Sequence, residues 1–207
     1  MLVTDYQYFG NICFIELLYK EAQVCFDSHA PFTKMSFKNK MVILSAQGPL
    51  PLTIPIVGGR DQKTTIQDIR IAYDAHWQAQ HSKALKTCYK RAPYFEYYET
   101  DLEKLYSTKT AFLVEFLEAC HAFLQKAIKG KWELIQFNEY AQNIKEEETK
   151  KKIHPWQPNN YAQFPIQHEY QQVFTSTSGF IQNLSILDML FCVGGKEISK
   201  QLSEKLH

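Results

Sequence analysis

Apolar positions recur in three rhythms along this chain, and the rhythm changes near its middle. Residues 1–8 read as a short strand. Over residues 11–20, Ile12, Ile15, Leu17, Leu18 and Tyr19 fall close to helical spacing. Residues 22–26 have the β-branched and aromatic content of a buried strand, and Asp27 to Pro31 form a turn. Residues 33–45 alternate. Met35, Phe37, Asn39, Met41 and Ile43 fall on one face of a strand, and Lys34, Ser36, Lys38, Lys40, Val42 and Leu44 on the other. Residues 46–49 close a turn, and residues 50–57 read as the returning strand of a hairpin. Pro51 and Pro55 mark that strand as edge or bulged. A flexible loop at 58–63 precedes a further strand expected over 65–71.

Beyond that point helical spacing takes over. A helix is expected from Asp74 or Ala75 to Tyr89, interrupted by Ala92-Pro93. Pro93 then opens a helix towards Glu99, with a further stretch to Tyr106. Residues 110–129 give the clearest helix. Phe112, Leu113, Phe116, Leu117, Cys120, Phe123, Leu124 and Ala127 form its apolar face, and Gly130 stops it. Residues 131–140 have some strand character, residues 146–152 are a charged connector, and residues 154–165 read as an ordered loop. A helix begins at Asn183 or Ser185 and runs through Leu190. Gly194-Gly195 breaks it before a polar helix ending near Leu206. The expected fold class is α/β, with a mixed sheet and hairpin in the N-terminal half and a helix-rich C-terminal half. The alternative is α+β. No repeat or linker divides the chain, so residues 1–207 are expected to form a single domain.

Composition narrows the function classes. The 23 basic and 22 acidic residues leave a net charge of +1, so no global field drives binding to nucleic acid or an acidic membrane. Any anion site must be local. Aromatic residues make up 14% of the chain, which suits either a tyrosine-rich core or recognition of a planar group or sugar. The five cysteines are scattered and form no C-x-x-C, so zinc and redox motifs are not indicated. The N-terminus lacks the charged and apolar regions of a signal peptide, and no apolar run reaches about 18 residues. A cytoplasmic address and no membrane span are expected. No cofactor-binding fingerprint, Walker loop or G-x-S-x-G elbow is present, so the cofactor is unknown.

Two places carry candidate chemistry. Lys38 and Lys40, two apart on one strand face, would make a compact positive pair for a phosphate or carboxylate. Asn39 could join them only where the strand bulges or ends. A solvated strand face is the plainer reading. His76 and His81 lie five apart, about 140° around a helix, and are poorly placed to chelate one metal. One of them could serve as general base or hydrogen-bond donor, or both could be without a role. Tyr94 and Tyr97, in the run Tyr94-Phe95-Glu96-Tyr97-Tyr98-Glu99, could line a stacking platform or simply pack a helix. Asn183, Ser185 and Asp188 are explained by helix capping and the helix dipole.

Four segments together resemble the WbqC-like family, in its Bacteroidetes-type branch. They are Tyr6-Gln7-Tyr8-Phe9-Gly10-Asn11-Ile12-Cys13-Phe14; Phe37-Lys38-Asn39-Lys40 with Ala46 to Ile56; His76-Trp77 and His81 with Tyr89 and Ala92 to Tyr98; and Tyr170 to Phe174 with Gly179 to Phe191. Two departures stand out. Gly10 occupies a place where the family usually carries proline, and Lys38-Asn39-Lys40 replaces an Arg-Asn-Arg pattern, losing the guanidinium fork. The resemblance implies a part in O-antigen or surface-polysaccharide synthesis. On it rests the expectation of a transferase acting on a sugar nucleotide or other phosphate-bearing small molecule. Lys38, Asn39, Lys40, Tyr94 and Tyr97 would bind the substrate, and His81 or His76 would be the base. The alternative is a non-catalytic protein of a glycan-assembly complex. The oligomeric state is left open.

Overall fold

A computed structural model describes residues 1–59, 64–135, 137, 150–151, 155–166 and 169–203. Its sheet grows from the first strand, β1 (Leu2–Thr4), every residue of which is buried. The chain turns through Tyr8-Phe9-Gly10 into α1 (Ile12–Tyr19) and returns as β2 (Gln23–Phe26), parallel to β1 with Val3 opposite Cys25. This is a β-α-β crossover, and its burial explains the apolar runs. Gly10 adopts φ +36° in that turn. Proline is confined near −65°, so the family's proline has no place in this backbone. β5 (Glu133–Ile135) pairs parallel with β2, and β6 (Lys150–Lys151) pairs parallel with the other edge of β1. The order is thus β5-β2-β1-β6, and part of the expected charged connector is a strand.

The hairpin forms a second sheet. β3 (Lys40–Ser45) pairs antiparallel with β4 (Gly48–Thr53), Val42 facing Pro51. Here the expected long strand is corrected, because residues 33–39 are turns rather than strand. Met35 takes a left-handed φ of 61°, which ends any extended run. Phe37, Lys38 and Asn39 are then buried in succession, not on alternate faces with one open to solvent as the pattern predicted. Lys38 therefore does not stand beside Lys40 on one strand face.

Residues 65–71 are also not a strand. Ile66–Asp68 is a single 3-10 turn, flanked by bridges Ile56–Ile71 and Arg70–Phe112. Ile66 in this turn and Ile69 and Ile71 after it are all buried, giving a pattern that resembles imperfect alternation. The helical half follows as α2 (Trp77–Tyr89), α3 (Phe95–Ser107) and α4 (Leu113–Ala127). α2 begins later than expected because His76 sits at φ 48°. The two expected stretches after Pro93 are one helix, with Phe95, Tyr98, Leu102 and Tyr106 as its buried stripe. α4 ends through a left-handed Lys129, and the Gly130 amide donates to the Gln125 carbonyl. A 3-10 turn (Tyr161–Gln163) and the short α5 (Thr175–Ser178) precede α6 (Ile186–Val193) and α7 (Gly195–Ser203). The expected loop at 58–63, the strand tail past 135 and the last helix beyond 203 lie partly outside the described residues.

Residues 183–186 stitch the layers together. The Ser185 amide donates to Val42, the Ile186 amide to Gly10, and the Ser185 hydroxyl to Phe9. Ser185 also caps α6 through the Leu187 amide. Asn183 caps a different helix from the one expected. Its side-chain oxygen accepts from the Cys13 amide at 2.9 Å, in the first turn of α1.

Candidate functional site

In an open parallel sheet the chain leaves a crevice beyond the carboxyl ends of the strands, where neighbouring strands send their connections in opposite directions. β1 continues to β2 on one side and meets β6 on the other, so that place lies between β1 and β6. A cavity of about 250 Å³ opens there. Asp5, Tyr6 and Gln7 line it directly after β1, Trp156 and Gln157 line it after β6, and the Thr33–Lys38 turn closes it.

Lys38 is the charged centre of this crevice. Its side chain is 3% exposed. The ammonium donates to the Pro31 carbonyl at 2.7 Å and lies 3.4 Å from an Asp5 carboxylate oxygen, with Asp5 43% exposed. Gln7 is buried, and its side-chain oxygen has no donor among the described residues. A buried polar atom without a protein partner needs water or another polar group to satisfy it. Met35, strained and 40% exposed, sits on the rim.

The other expected site residues are spread over the molecule. Asn39 is buried, and its amide donates to the Ile54 carbonyl at 2.8 Å, so it closes the hairpin instead of facing a ligand. Lys40 is half-buried at the start of β3. His76 is exposed and lines a separate hollow with Gln78, Ser82 and Glu103. His81 is buried and lines none of these cavities. Its Nδ1 pairs with the Tyr8 hydroxyl at 2.9 Å, which meets the Tyr106 hydroxyl at 2.5 Å. Burial pushes the His81 ring down to about 4, against a hydrogen bond to the Thr53 backbone. It is neutral at pH 7 and walled in. Tyr94 and Tyr97 are 44% and 81% exposed and line a third cavity, with lysines. The lysines, histidines and tyrosines thus do not converge on one pocket.

A further buried network escaped the sequence. Asp188 is fully buried, and its carboxylate accepts from Tyr89 at 2.6 Å, Tyr170 at 2.5 Å and Gln172 at 3.1 Å. Burial pushes this carboxyl above its usual value, and the three donors hold it back. The Tyr89 hydroxyl also accepts the Leu44 amide at 3.0 Å. The only sequence signal was an acid in the first helical turn, which capping already explained. Gln172, with Cys88, Cys192, Arg91 and Phe174, walls a cavity of about 640 Å³ beside this network. Among the described residues no group of three or more His, Cys, Asp or Glu side chains is placed to hold a metal. No helix among them is long and apolar enough to cross a membrane.

Residues 7–157 match the WbqC-like protein family. The chain belongs to that family. The match holds three of the four segments that suggested it, apart from Tyr6, and stops before the Tyr170–Phe191 stretch. Gln7 and Gln157, where the match begins and ends, both line the crevice, so the WbqC-like segment opens and closes on it. Comparison with curated proteins and with solved structures gives no match.

Proposed function

We propose that this WbqC-like chain acts as one domain, as a transferase of surface-polysaccharide assembly, and binds a phosphate-bearing sugar in the strand-end crevice. The observation that carries this reading is Lys38. An ammonium has three N–H donors. Pro31 and Asp5 are the two acceptors near Lys38, so one donor remains for an oxyanion at the floor of the crevice. Gln7 lines the same crevice, and its buried, unpartnered oxygen can accept from a sugar hydroxyl once the side chain turns towards the opening. A phosphate next to a hydroxyl is what a sugar phosphate presents. Asp5, the one half-exposed carboxylate against Lys38, is the group placed to take a proton from an acceptor hydroxyl. His81 serves the site only indirectly, by holding Tyr8 in the turn that follows Gln7.

Calorimetric titration with inorganic phosphate, a sugar 1-phosphate and a sugar nucleotide tests the reading. The two sugar ligands should bind more tightly than phosphate. Lys38→Met should weaken the sugar 1-phosphate at least about tenfold, or about 1.4 kcal/mol. Lys40→Ala should leave binding unchanged. Equal binding by the Lys38→Met variant and the unaltered chain would overturn the crevice as the site.

A further inference from the structure

The cleft around Tyr94 and Tyr97 has a chemistry of its own. It lies between the start of α3, the end of α4 and the junction of α6 with α7, with a volume of about 660 Å³. That is ample for a nucleotide-sized ligand, since small-molecule sites run from roughly 300 to 1,000 Å³. Two glycines bring its walls together. A Cβ on Gly194 would stand 2.8 Å from the Tyr94 ring, and one on Gly195 would collide with the Ala127 carbonyl. The Gly195 amide donates to the Tyr98 hydroxyl at 3.0 Å, which locks α7 against α3.

Four lysines surround these rings: Lys126, Lys129, Lys196 and Lys200. Lys126 is tied to Asp101 at 3.5 Å. Lys129 and Lys196 have no carboxylate within ion-pair distance among the described residues. Glu197 is the one acid in the lining, and it is engaged by Gln201 at 3.0 Å. The first α7 amide to find a helical acceptor is that of Ile198, which reaches Gly194. The amides of Lys196 and Glu197 precede it in the first turn without a helical acceptor, and both residues line the cleft, at a helix start where an anion is favoured. Tyr97 offers an open aromatic face beside this charge.

We propose that this cleft is a second ligand site, which takes a nucleoside diphosphate. The diphosphate lies against Lys129, Lys196 and the start of α7, and the base stacks on Tyr97. The net charge of +1 on the whole chain argues for a small ligand over a nucleic acid. The proposal stands apart from the Lys38 crevice, which shares no lining residue with it.

Calorimetry of the full chain with UDP and ADP, at low and at raised salt, tests it. Binding is expected in the micromolar to low millimolar range and should weaken as salt rises. Lys196→Glu should raise Kd at least tenfold, and Tyr97→Ser severalfold. Both positions are exposed, so circular dichroism should show an unchanged fold. Lys38→Met should leave nucleotide affinity intact, which separates this cleft from the crevice. Loss of nucleotide binding in Lys38→Met but not in Lys196→Glu would overturn the proposal. So would tighter binding of a single-stranded oligonucleotide than of the nucleotides, or no heat with any of them.

Discussion

Asp188 and Lys38 are both charged side chains taken almost wholly out of water, but they are satisfied in opposite ways. Asp188 has three neutral donors drawn from α2 and the 170–172 segment, and no cation paired with it among the described residues. Lys38 has one backbone carbonyl and one carboxylate that is half in solvent. Around Asp188 every hydroxyl has a use, down to the Tyr89 oxygen that receives the Leu44 amide. Around Lys38 the Gln7 oxygen is left over. The first region is closed and complete within the fold, so its work is to fix α6 against α2 and the hairpin. The second is open and incomplete, which is what the proposed ligand site calls for.

Removing the acid should therefore cost the fold far more than removing the base. Asp188→Ala strips the acceptor from two buried tyrosines and a buried glutamine. Each orphaned donor costs about 1–3 kcal/mol. A net destabilisation of about 4 kcal/mol is expected in urea unfolding. Asp188→Asn keeps one carbonyl acceptor and should lose less than half as much. A loss under about 1 kcal/mol for the alanine variant would mean that the network is not the closed brace described.

The same contrast explains what could be read from the chain alone. The β-α-β start, the hairpin, α4 and α6 were legible because each carries apolar residues in a run or a regular spacing that matches its burial. The 33–39 turn was not, because Lys34, Ser36 and Lys38 imitate alternation while Met35 bends the backbone out of it. β6 was hidden in a charged run, since its place is fixed by pairing with β1 and not by apolar content. Lys38 was legible as a cation on a candidate surface, but its partner Asp5 and the orphaned Gln7 were not. Those depend on how β1 and β6 meet. Asp188 was masked by its own position. An acid in a first helical turn needs no further reason, and Tyr89 and Tyr170 lie 99 and 18 residues away in sequence.

Acid sharpens the comparison at the buried histidines. Burial pushes His81 down to about 4, and His121 likewise to about 4. Between their ordinary value near 6.5 and about 4, the unfolded chain binds protons that the folded chain refuses. Stability should fall as pH drops through that window, by up to about 3 kcal/mol for each ring. Asp188 acts in the other sense. Its raised folded value means that the folded chain keeps a proton that the unfolded chain has released, so its contribution grows as pH falls. Two variants follow, each read as unfolding free energy against pH from 7 to 4. His81→Leu should flatten the acid loss. Asp188→Asn should steepen it. A His81→Leu profile parallel to that of the unaltered chain would refute the assignment of the loss to that ring.

The smallest effect on the fold is expected at Lys38, where the largest effect on binding is expected. Removing one member of a buried ion pair is costly where the other charge stays buried, and cheap only where that charge can reach water. Lys38→Met removes the cation and leaves Asp5 behind, but Asp5 is 43% exposed and can turn to water. The Pro31 carbonyl, itself at an exposed residue, can do the same. Unfolding free energy should therefore stay within about 1 kcal/mol of the unaltered chain. A loss as large as that of Asp188→Ala would show that Lys38 is a brace like Asp188 and would erase the distinction between the two regions. A near-silent stability change together with lost affinity for sugar phosphates would place the ligand's phosphate at the carboxyl end of β1. The short sheet, the β6 pairing and the 33–38 turn would then have one common task, which is to hold a single cation, short of donors' partners, at the mouth of the crevice.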